Sequence, residues 1–166
     1  MTTDLHDLPG HLIRRMHQIS VSAFAAETKA AGVDLTPMQF AALCMLWENP
    51  GIEQATLAGL VAIDRPTIGG VVARLEARGL LERGVSPSDR RARILNLTEA
   101  GAALLREARP LVQRAQDAML GELAPDERDT LVALLLKATR AETSPSRTSR
   151  QPGGGPPASG SRSDTV

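Results

Sequence analysis

Aromatic side chains are scarce in this chain of 166 residues, which has two Phe, one Trp and no Tyr. Proteins that bind RNA or single-stranded DNA usually stack bases on aromatic side chains, so the composition disfavours both classes. Double-stranded DNA remains compatible with it. The 42% of hydrophobic residues is enough for one folded domain, and its core must be aliphatic.

The chain also lacks the features of disulfide-bonded, membrane and enzyme proteins. A single cysteine, Cys44, rules out an internal disulfide and a cysteine-based zinc site. No N-terminal apolar segment resembles a signal peptide, and no apolar run approaches the ~20 residues of a membrane span. No phosphate-loop, zinc-protease or nucleophile-elbow motif occurs. We therefore expect a cytoplasmic protein that is not an enzyme and has no catalytic residue, metal, cofactor or membrane partner.

The most informative stretch runs from Asp64 to Leu97 and begins as an amphipathic helix. Asp64 is a good N-cap, Pro66 falls in the first turn, and Gly79 is placed to end the helix. Four apolar residues recur at i, i+3, i+4 and i+7, which predicts one buried stripe. They are Ile68, Val71, Val72 and Leu75.

A basic hairpin follows this helix directly. The extended runs Leu80–Val85 and Arg93–Leu97 flank a turn at Ser86–Arg90. The formal net charge is zero, but seven arginines are concentrated in the stretch: Arg65, Arg74, Arg78, Arg83, Arg90, Arg91 and Arg93. A helix that can enter a DNA groove, followed by a basic hairpin, is typical of a winged helix-turn-helix. The predicted fold class is therefore mainly α with a small β wing.

Further helices are predicted on both sides of this stretch. Their approximate ranges are 8–31, 37–47, 54–61, 99–123 and 125–142, with Thr36–Gln39 as a capping box, Ile52 as a short strand and Thr98 as an N-cap. Leu57, Leu60 and Val61 are expected to face inward, and Pro110 is expected to kink its helix or replace one turn. Cys44 shares a helical face with Phe40 and Trp47 and is expected to be a small apolar core residue.

The predicted domain covers residues 1–143, with a DNA-binding unit at about 36–97. The helices at about 8–31 and 99–142 lie outside that unit and carry apolar stripes, which predicts that they pair two copies of the chain as a homodimer. Residues 144–166 are rich in Pro, Gly and Ser and are expected to be a disordered tail.

Three segments resemble the MarR (multiple-antibiotic-resistance regulator) family of winged-helix transcription factors. They are LTPMQFAALCML, QATLAGLVAIDRPTIGGVVARLEARGLLER and SPSDRRARILNLTEAG. The last is the most specific, because it combines Asp89-x-Arg91 with a Leu-Thr-Glu-Ala-Gly helix start. The resemblance covers roughly Leu8 to Glu142. It implies a homodimer that represses, or less often activates, nearby genes and leaves its operator when a small ligand binds.

Candidate DNA contacts lie on the face of the Asp64 helix opposite its apolar stripe. That face presents Pro66, Thr67, Gly70 and Arg74, which would approach the major groove of a pseudo-palindromic operator, and Arg65 and Gly69 are further candidates on the same helix. The two glycines each disfavour the helix by about 1 kcal/mol relative to alanine. Close approach to DNA and tolerated sequence drift both explain them.

At the tip of the hairpin, Arg91 is the candidate minor-groove residue, with Asp89 orienting it through an ion pair. Arg90 and Arg93 would contact phosphates. The alternative is an exposed ion pair with no role in DNA binding.

A basic cluster on the first helix suits an organic anion. Arg14 with His17 and His11 with Arg15 are neighbours at i, i+3 and i, i+4, while the histidine spacing does not suit a metal. In the family that the chain resembles, ligand pockets lie between the dimer helices and the DNA-binding unit, where this helix would sit, and the resemblance therefore implies an aromatic carboxylate or a related thioester as ligand. Solvated charges or ion pairs between subunits are the alternative.

Two other functions remain open from the sequence. One is a regulator that binds DNA without responding to a ligand, and the other is a winged-helix module that binds proteins. Salt-dependent binding to duplex DNA would separate the second from a DNA-binding protein.

Overall fold

The computed structural model describes residues 4–86 and 93–140 and shows a mostly helical chain with a three-stranded sheet. After a 3-10 turn at Leu5–Asp7, the elements in chain order are α1 (Pro9–Ala30), α2 (Pro37–Glu48), β1 (Ile52–Glu53), α3 (Gln54–Leu60), α4 (Arg65–Ala77), β2 (Leu81–Val85), β3 (Arg93–Leu97), α5 (Glu99–Met119) and α6 (Pro125–Thr139). The predicted fold class is confirmed.

Side-chain caps fix where α2, α4 and α5 begin, as the sequence predicted. The Thr36 hydroxyl accepts from the backbone N–H of Gln39 at 3.2 Å, and the Gln39 side chain accepts from the backbone N–H of Thr36 at 2.9 Å. The Asp64 side chain accepts from the backbone N–H of Thr67 to cap α4, and the Thr98 side chain accepts from the backbone N–H of Gly101 to cap α5. Gly79 follows the last turn of α4 with φ +67°, a left-handed conformation that favours glycine.

The sheet has the strand order β1-β3-β2, and both pairs are antiparallel. Leu95 lies opposite Ile52 on one side and opposite Arg83 on the other. The hairpin of β2 and β3 is the predicted wing. Its tip, residues 87–92, and the predicted tail lie outside the described residues.

The core is aliphatic, as the shortage of aromatic residues requires. The largest fully buried side chains are Leu43, Leu46, Leu57, Ile68, Val72, Leu75, Leu81, Leu95 and Leu105. The whole predicted stripe of α4 is among the buried residues. Since α4 is held by this face, its opposite face is free to contact a partner.

One detail of the predicted helices is wrong, and another is decided only in part. Leu60, expected to face inward, is 48% exposed, because Val61 and Ile63 pack against the core where α3 ends. Pro110 does not replace a turn of α5, since the helix runs without a break from Glu99 to Met119, and the alternative, a kink at Pro110, stays a prediction. The proline lies on the exposed side, where water can satisfy the carbonyl group that loses its helical partner.

The chain divides into two compact units, the first ending at Leu123 and the second beginning at Ala124. In the first, α1 packs along α5, and the Arg114 guanidinium donates to Glu27 at 2.7 Å between them. In the second, the Glu127 carboxylate accepts from the backbone N–H of Ala124 and begins α6, which has no buried residue.

No single helix of residues 4–86 and 93–140 is long and apolar enough to cross a membrane. The helices α3 and α4 reach that length and composition only when taken together, and they are bent by 110° at their junction.

The start of α5 is joined tightly to the end of α4. The Thr98 hydroxyl donates to the carbonyl oxygen of Gly79 at 2.7 Å and accepts from the backbone N–H of Gly101 at 3.1 Å. A Cβ atom on Gly101 would collide with the carbonyl oxygen of Leu80 and lie 2.7 Å from Cδ1 of Leu97. The absence of a side chain at residue 101 is therefore required by packing.

Gly101→Ala is expected to destabilise the protein by about 1–3 kcal/mol, because backbone must move to admit the methyl group. In an open helix the same change stabilises by about 1 kcal/mol. Gly70→Ala is the matched control, since a Cβ at residue 70 has no neighbour within 4 Å among the described residues. Denaturant unfolding of both variants measures the difference. If both variants changed the free energy of unfolding equally and in the same direction, the collision assigned to residue 101 would be contradicted.

Candidate nucleic-acid interface

The helices α3 and α4 form a helix-turn-helix. Their junction is bent by 110°, within the range of this motif. The turn between them contains Ala62 with φ +53°, and the N–H of Ile63 returns to the carbonyl oxygen of Ala58 at 3.0 Å. Only four residues separate the two helices. The core contacts of α3 therefore also fix the position of the start of α4.

The outer face of α4 is open to solvent over its whole length. The predicted contacts Arg65, Pro66, Thr67, Gly70 and Arg74 are all exposed. We call these five residues the outer face of α4. Gly69 differs from them, because it is half-buried and a Cβ there would lie 3.6 Å from Nε2 of Gln54 on α3. Nothing within the described residues explains glycine at residue 70 by packing.

Four of the seven arginines, those before the tip of the wing, divide into two that form ion pairs with described residues and two that do not. Arg78 lies 3.7 Å from the Asp34 carboxylate, and Arg83 donates to Glu76 at 2.9 Å. Arg65 and Arg74 form no salt bridge with any described residue. Two guanidinium groups on the outer face are therefore available to an anionic partner, although the chain as a whole has no net charge.

Of the four predicted DNA contacts in the wing, the structure describes one. Arg93 is exposed at the start of β3. The predicted contacts Asp89, Arg90 and Arg91 lie outside the described residues. Their roles, including the ion pair of Asp89 with Arg91, stay predictions.

Asp64 was predicted only as a helix cap, and in the structure its carboxylate makes a second contact. Oδ1 accepts from the backbone N–H of Thr67 at 2.9 Å, and Oδ2 accepts from the Thr67 hydroxyl at 2.7 Å. The hydrogen bond from the Thr67 N–H, and then that from its hydroxyl, hold the pKa of Asp64 below its usual value. The Asp-x-x-Thr spacing of N-cap and N3 was the signal that could have revealed this pair.

The four candidate ligand residues lie together on α1, but they pair differently from the expectation. The guanidinium of Arg14 lies 3.4 Å from Nδ1 of His11 and 3.5 Å from Oε1 of Gln18, so it reaches His11 rather than His17. His11 is half-buried, while Arg14, Arg15 and His17 are exposed. The cluster offers positive charge to solvent, which is compatible with an anionic ligand.

Cys44 is half-buried beside the core, as a small apolar residue would be. Burial raises the pKa of its thiol against the opposing effect of Arg109, and Glu48 raises it further. The guanidinium of Arg109 lies 6.0 Å from the ring centre of Trp47. A raised pKa keeps the thiol protonated and unreactive, which agrees with the structural role expected for Cys44.

Comparison with known proteins agrees with this geometry. The MarR family matches residues 35–92 of the chain. The chain is 37% identical to the transcriptional repressor NicR of Pseudomonas putida over 134 residues, which cover 81% of this chain and 84% of NicR.

Among the solved structures with the same fold are those of two proteins, BpsR and CouR. One is BpsR of Bordetella bronchiseptica, whose DNA binding is regulated by 6-hydroxynicotinic acid; it is 34% identical with a TM-score of 0.78, covering 84% of this chain and 98% of BpsR. The repressor CouR on a 23-mer DNA duplex is 38% identical with a TM-score of 0.76, again covering 84% and 98%. CouR has also been solved with p-coumaroyl-CoA. The chain therefore belongs to the MarR family of transcriptional regulators.

Proposed function

We propose that this protein is a homodimeric repressor that binds a pseudo-palindromic operator in double-stranded DNA and is released by an aromatic acid-like ligand. The outer face of α4 is the observation that carries the proposal. It is exposed, it bears two arginines that form no salt bridge with any described residue, and it belongs to a helix fixed by its buried opposite face. Such a helix can enter the major groove without rearrangement of the core.

The residues of the proposed DNA interface have different expected roles. Arg65 and Thr67, in the first turn of α4, are placed to reach base edges, whereas Arg74 lies two turns along and is better placed for a phosphate. In the wing, Arg91 would contact the minor groove, and Arg90 and Arg93 would contact the neighbouring DNA phosphates. Support comes from CouR, which has been solved on a DNA duplex.

Exposed apolar residues support a dimer. On and before α1, Leu5, Leu8, Leu12, Ile13 and Ile19 are 39–59% exposed, and on α6 Val132, Leu134, Leu135 and Leu136 are 43–59% exposed. Large apolar surfaces of this kind usually mark an interface. A twofold pair of chains would cover them and present two α4 helices to successive grooves about 34 Å apart.

The ligand is proposed to bind through the basic cluster of α1, composed of His11, Arg14, Arg15 and His17. Guanidinium groups bind carboxylates through paired hydrogen bonds. The relatives supply the chemical class, since BpsR responds to 6-hydroxynicotinic acid and CouR binds p-coumaroyl-CoA.

Arg74→Ala and Arg91→Ala are each expected to weaken operator binding and flatten its salt dependence. Each phosphate contact contributes about 0.9 to the log–log slope, and a dimer loses two. Fluorescence anisotropy at several salt concentrations measures both effects. Arg106→Ala is the control, because that exposed arginine on α5 is paired with Glu99 at 2.8 Å. Unchanged affinity and slope would remove the substituted residue from the interface.

Leu12→Glu is expected to shift the protein from dimer to monomer, because it places a charge in the proposed apolar interface. Gln18→Glu introduces the same side chain about 120° around α1 and is expected to leave the dimer intact. Analytical ultracentrifugation distinguishes the two states. A wild-type protein that sediments as a monomer at micromolar concentration would overturn the proposed assembly.

Calorimetric titration with 6-hydroxynicotinate, benzoate and 4-hydroxybenzoate is expected to give heat with at least one of them and to release the operator. The double variant Arg14→Ala, Arg15→Ala is expected to lose this heat and still bind DNA. The Arg106→Ala variant again serves as the control. Heat that survives in the double variant would place the ligand elsewhere, and no heat with any acid would contradict the ligand class.

A further inference from the structure

The hydroxyl proton of Thr67 is committed to Asp64. Thr67 Oγ1 lies 2.7 Å from Oδ2 of Asp64, while Oδ1 of the same carboxylate accepts from the Thr67 N–H at 2.9 Å. Both residues are exposed at the N-terminal end of the outer face of α4. One carboxylate thus caps the helix and fixes the hydroxyl that stands beside it.

The direction of this hydrogen bond is determined by the charge of Asp64. The two hydrogen bonds from Thr67 lower the pKa of the carboxyl, so it is ionised near neutral pH and has no proton to donate. Thr67 must be the donor. Its oxygen can then only accept a further hydrogen bond, and its methyl group supplies an apolar contact.

An acceptor discriminates among base edges in the major groove. Adenine N6 and cytosine N4 donate there, whereas guanine presents only the acceptors O6 and N7. A Thr67 oxygen that faces guanine would oppose one acceptor with another, and neither group would be satisfied.

We propose that Asp64 determines sequence specificity by holding Thr67 as an acceptor, so that the base facing Thr67 is adenine or cytosine and not guanine. The inference rests on the proposed entry of α4 into the major groove. Asp64 is a positioning residue in this scheme, because it acts on the base through Thr67.

Asp64→Asn tests the scheme by reversing the polarity of the hydroxyl. Asparagine is as good an N-cap as aspartate, so its amide oxygen keeps the bond from the Thr67 N–H. Its NH2 group then donates to the Thr67 oxygen, and the hydroxyl proton is free to point toward the base. Guanine, with two acceptors, becomes a suitable partner.

The experiment selects bound sequences from a pool of randomised duplexes and then measures affinities for duplexes that differ at one base pair. Wild-type protein is expected to exclude guanine at one position in each half-site. In Asp64→Asn the ratio of guanine to adenine affinity at that position is expected to rise by about three- to tenfold. Preferences at the other positions are expected to stay the same.

Two further variants separate the effect of the Thr67 hydroxyl from the effect of removing a negative charge. Thr67→Val keeps the shape and the methyl group, and it is expected to lose discrimination against guanine without gaining a preference for it. Glu82→Gln removes one exposed carboxylate from β2 and is expected to change affinity for all duplexes by one common factor. Thermal unfolding shows whether each variant is folded.

The outcomes separate the inference from the proposed function. If wild-type protein selects no sequence, both are wrong. If it selects an operator and folded Asp64→Asn keeps the same base preference at every position, the proposed function stands and the role of Asp64 does not. A uniform gain in affinity in Asp64→Asn, without a change at one position, also overturns that role.

Discussion

The hydrogen bonds of Thr98 are the constraint on which the geometry of the DNA-binding unit depends. One hydroxyl joins the carbonyl group that ends α4 to the N–H group that begins α5, at 2.7 and 3.1 Å. The N–H of Thr98 also reaches the carbonyl oxygen of Leu80 at 3.2 Å. Because Gly101 has no side chain, α5 can approach Leu80 closely enough to make these bonds. The end of α4, the start of β2 and the start of α5 therefore form one rigid junction.

Such a junction is what a twofold DNA-binding protein needs. In the proposed homodimer, two α4 helices would have to match two grooves about 34 Å apart, so the affinity would depend on the angle between α4 and the helices proposed to pair the subunits. Helix α5 would hold that angle, because it packs along α1 at one side and is fixed to the end of α4 at its start. A ligand that bound to α1 would thus act on α4 through α5 without needing to touch the wing.

Much of the fold was predictable because its determinants are local. Caps at Thr36, Asp64 and Thr98 and the glycine after α4 define helix ends within a few residues. The buried stripe of α4 followed from periodicity alone. Contacts between distant segments were not predictable: the exposure of Leu60 depends on how the next turn meets the core, and the collision at Gly101 depends on Leu80, twenty-one positions earlier.

The candidate site shows the same division. Its exposed face was predictable, since it is the complement of the apolar stripe. The ion pairs were not, because only the fold brings Arg78 to Asp34 and Arg83 to Glu76. On helix α1 Arg14 was predicted to pair with His17, whereas in the structure its guanidinium lies 3.4 Å from Nδ1 of His11.

The position of Asp64 implies a balance between affinity and specificity. A helix N-terminus attracts phosphate through its free N–H groups and its dipole, which strengthens binding to any DNA. At α4 the carboxylate of Asp64 occupies that site, and in the proposed complex it would repel phosphate and weaken non-specific binding. Arg65 and Arg74 restore attraction on the same face, where they are free of salt bridges to described residues. In the proposed complex the negative charge therefore lowers the background of non-specific binding, and the hydroxyl it orients contributes to the recognition of one base.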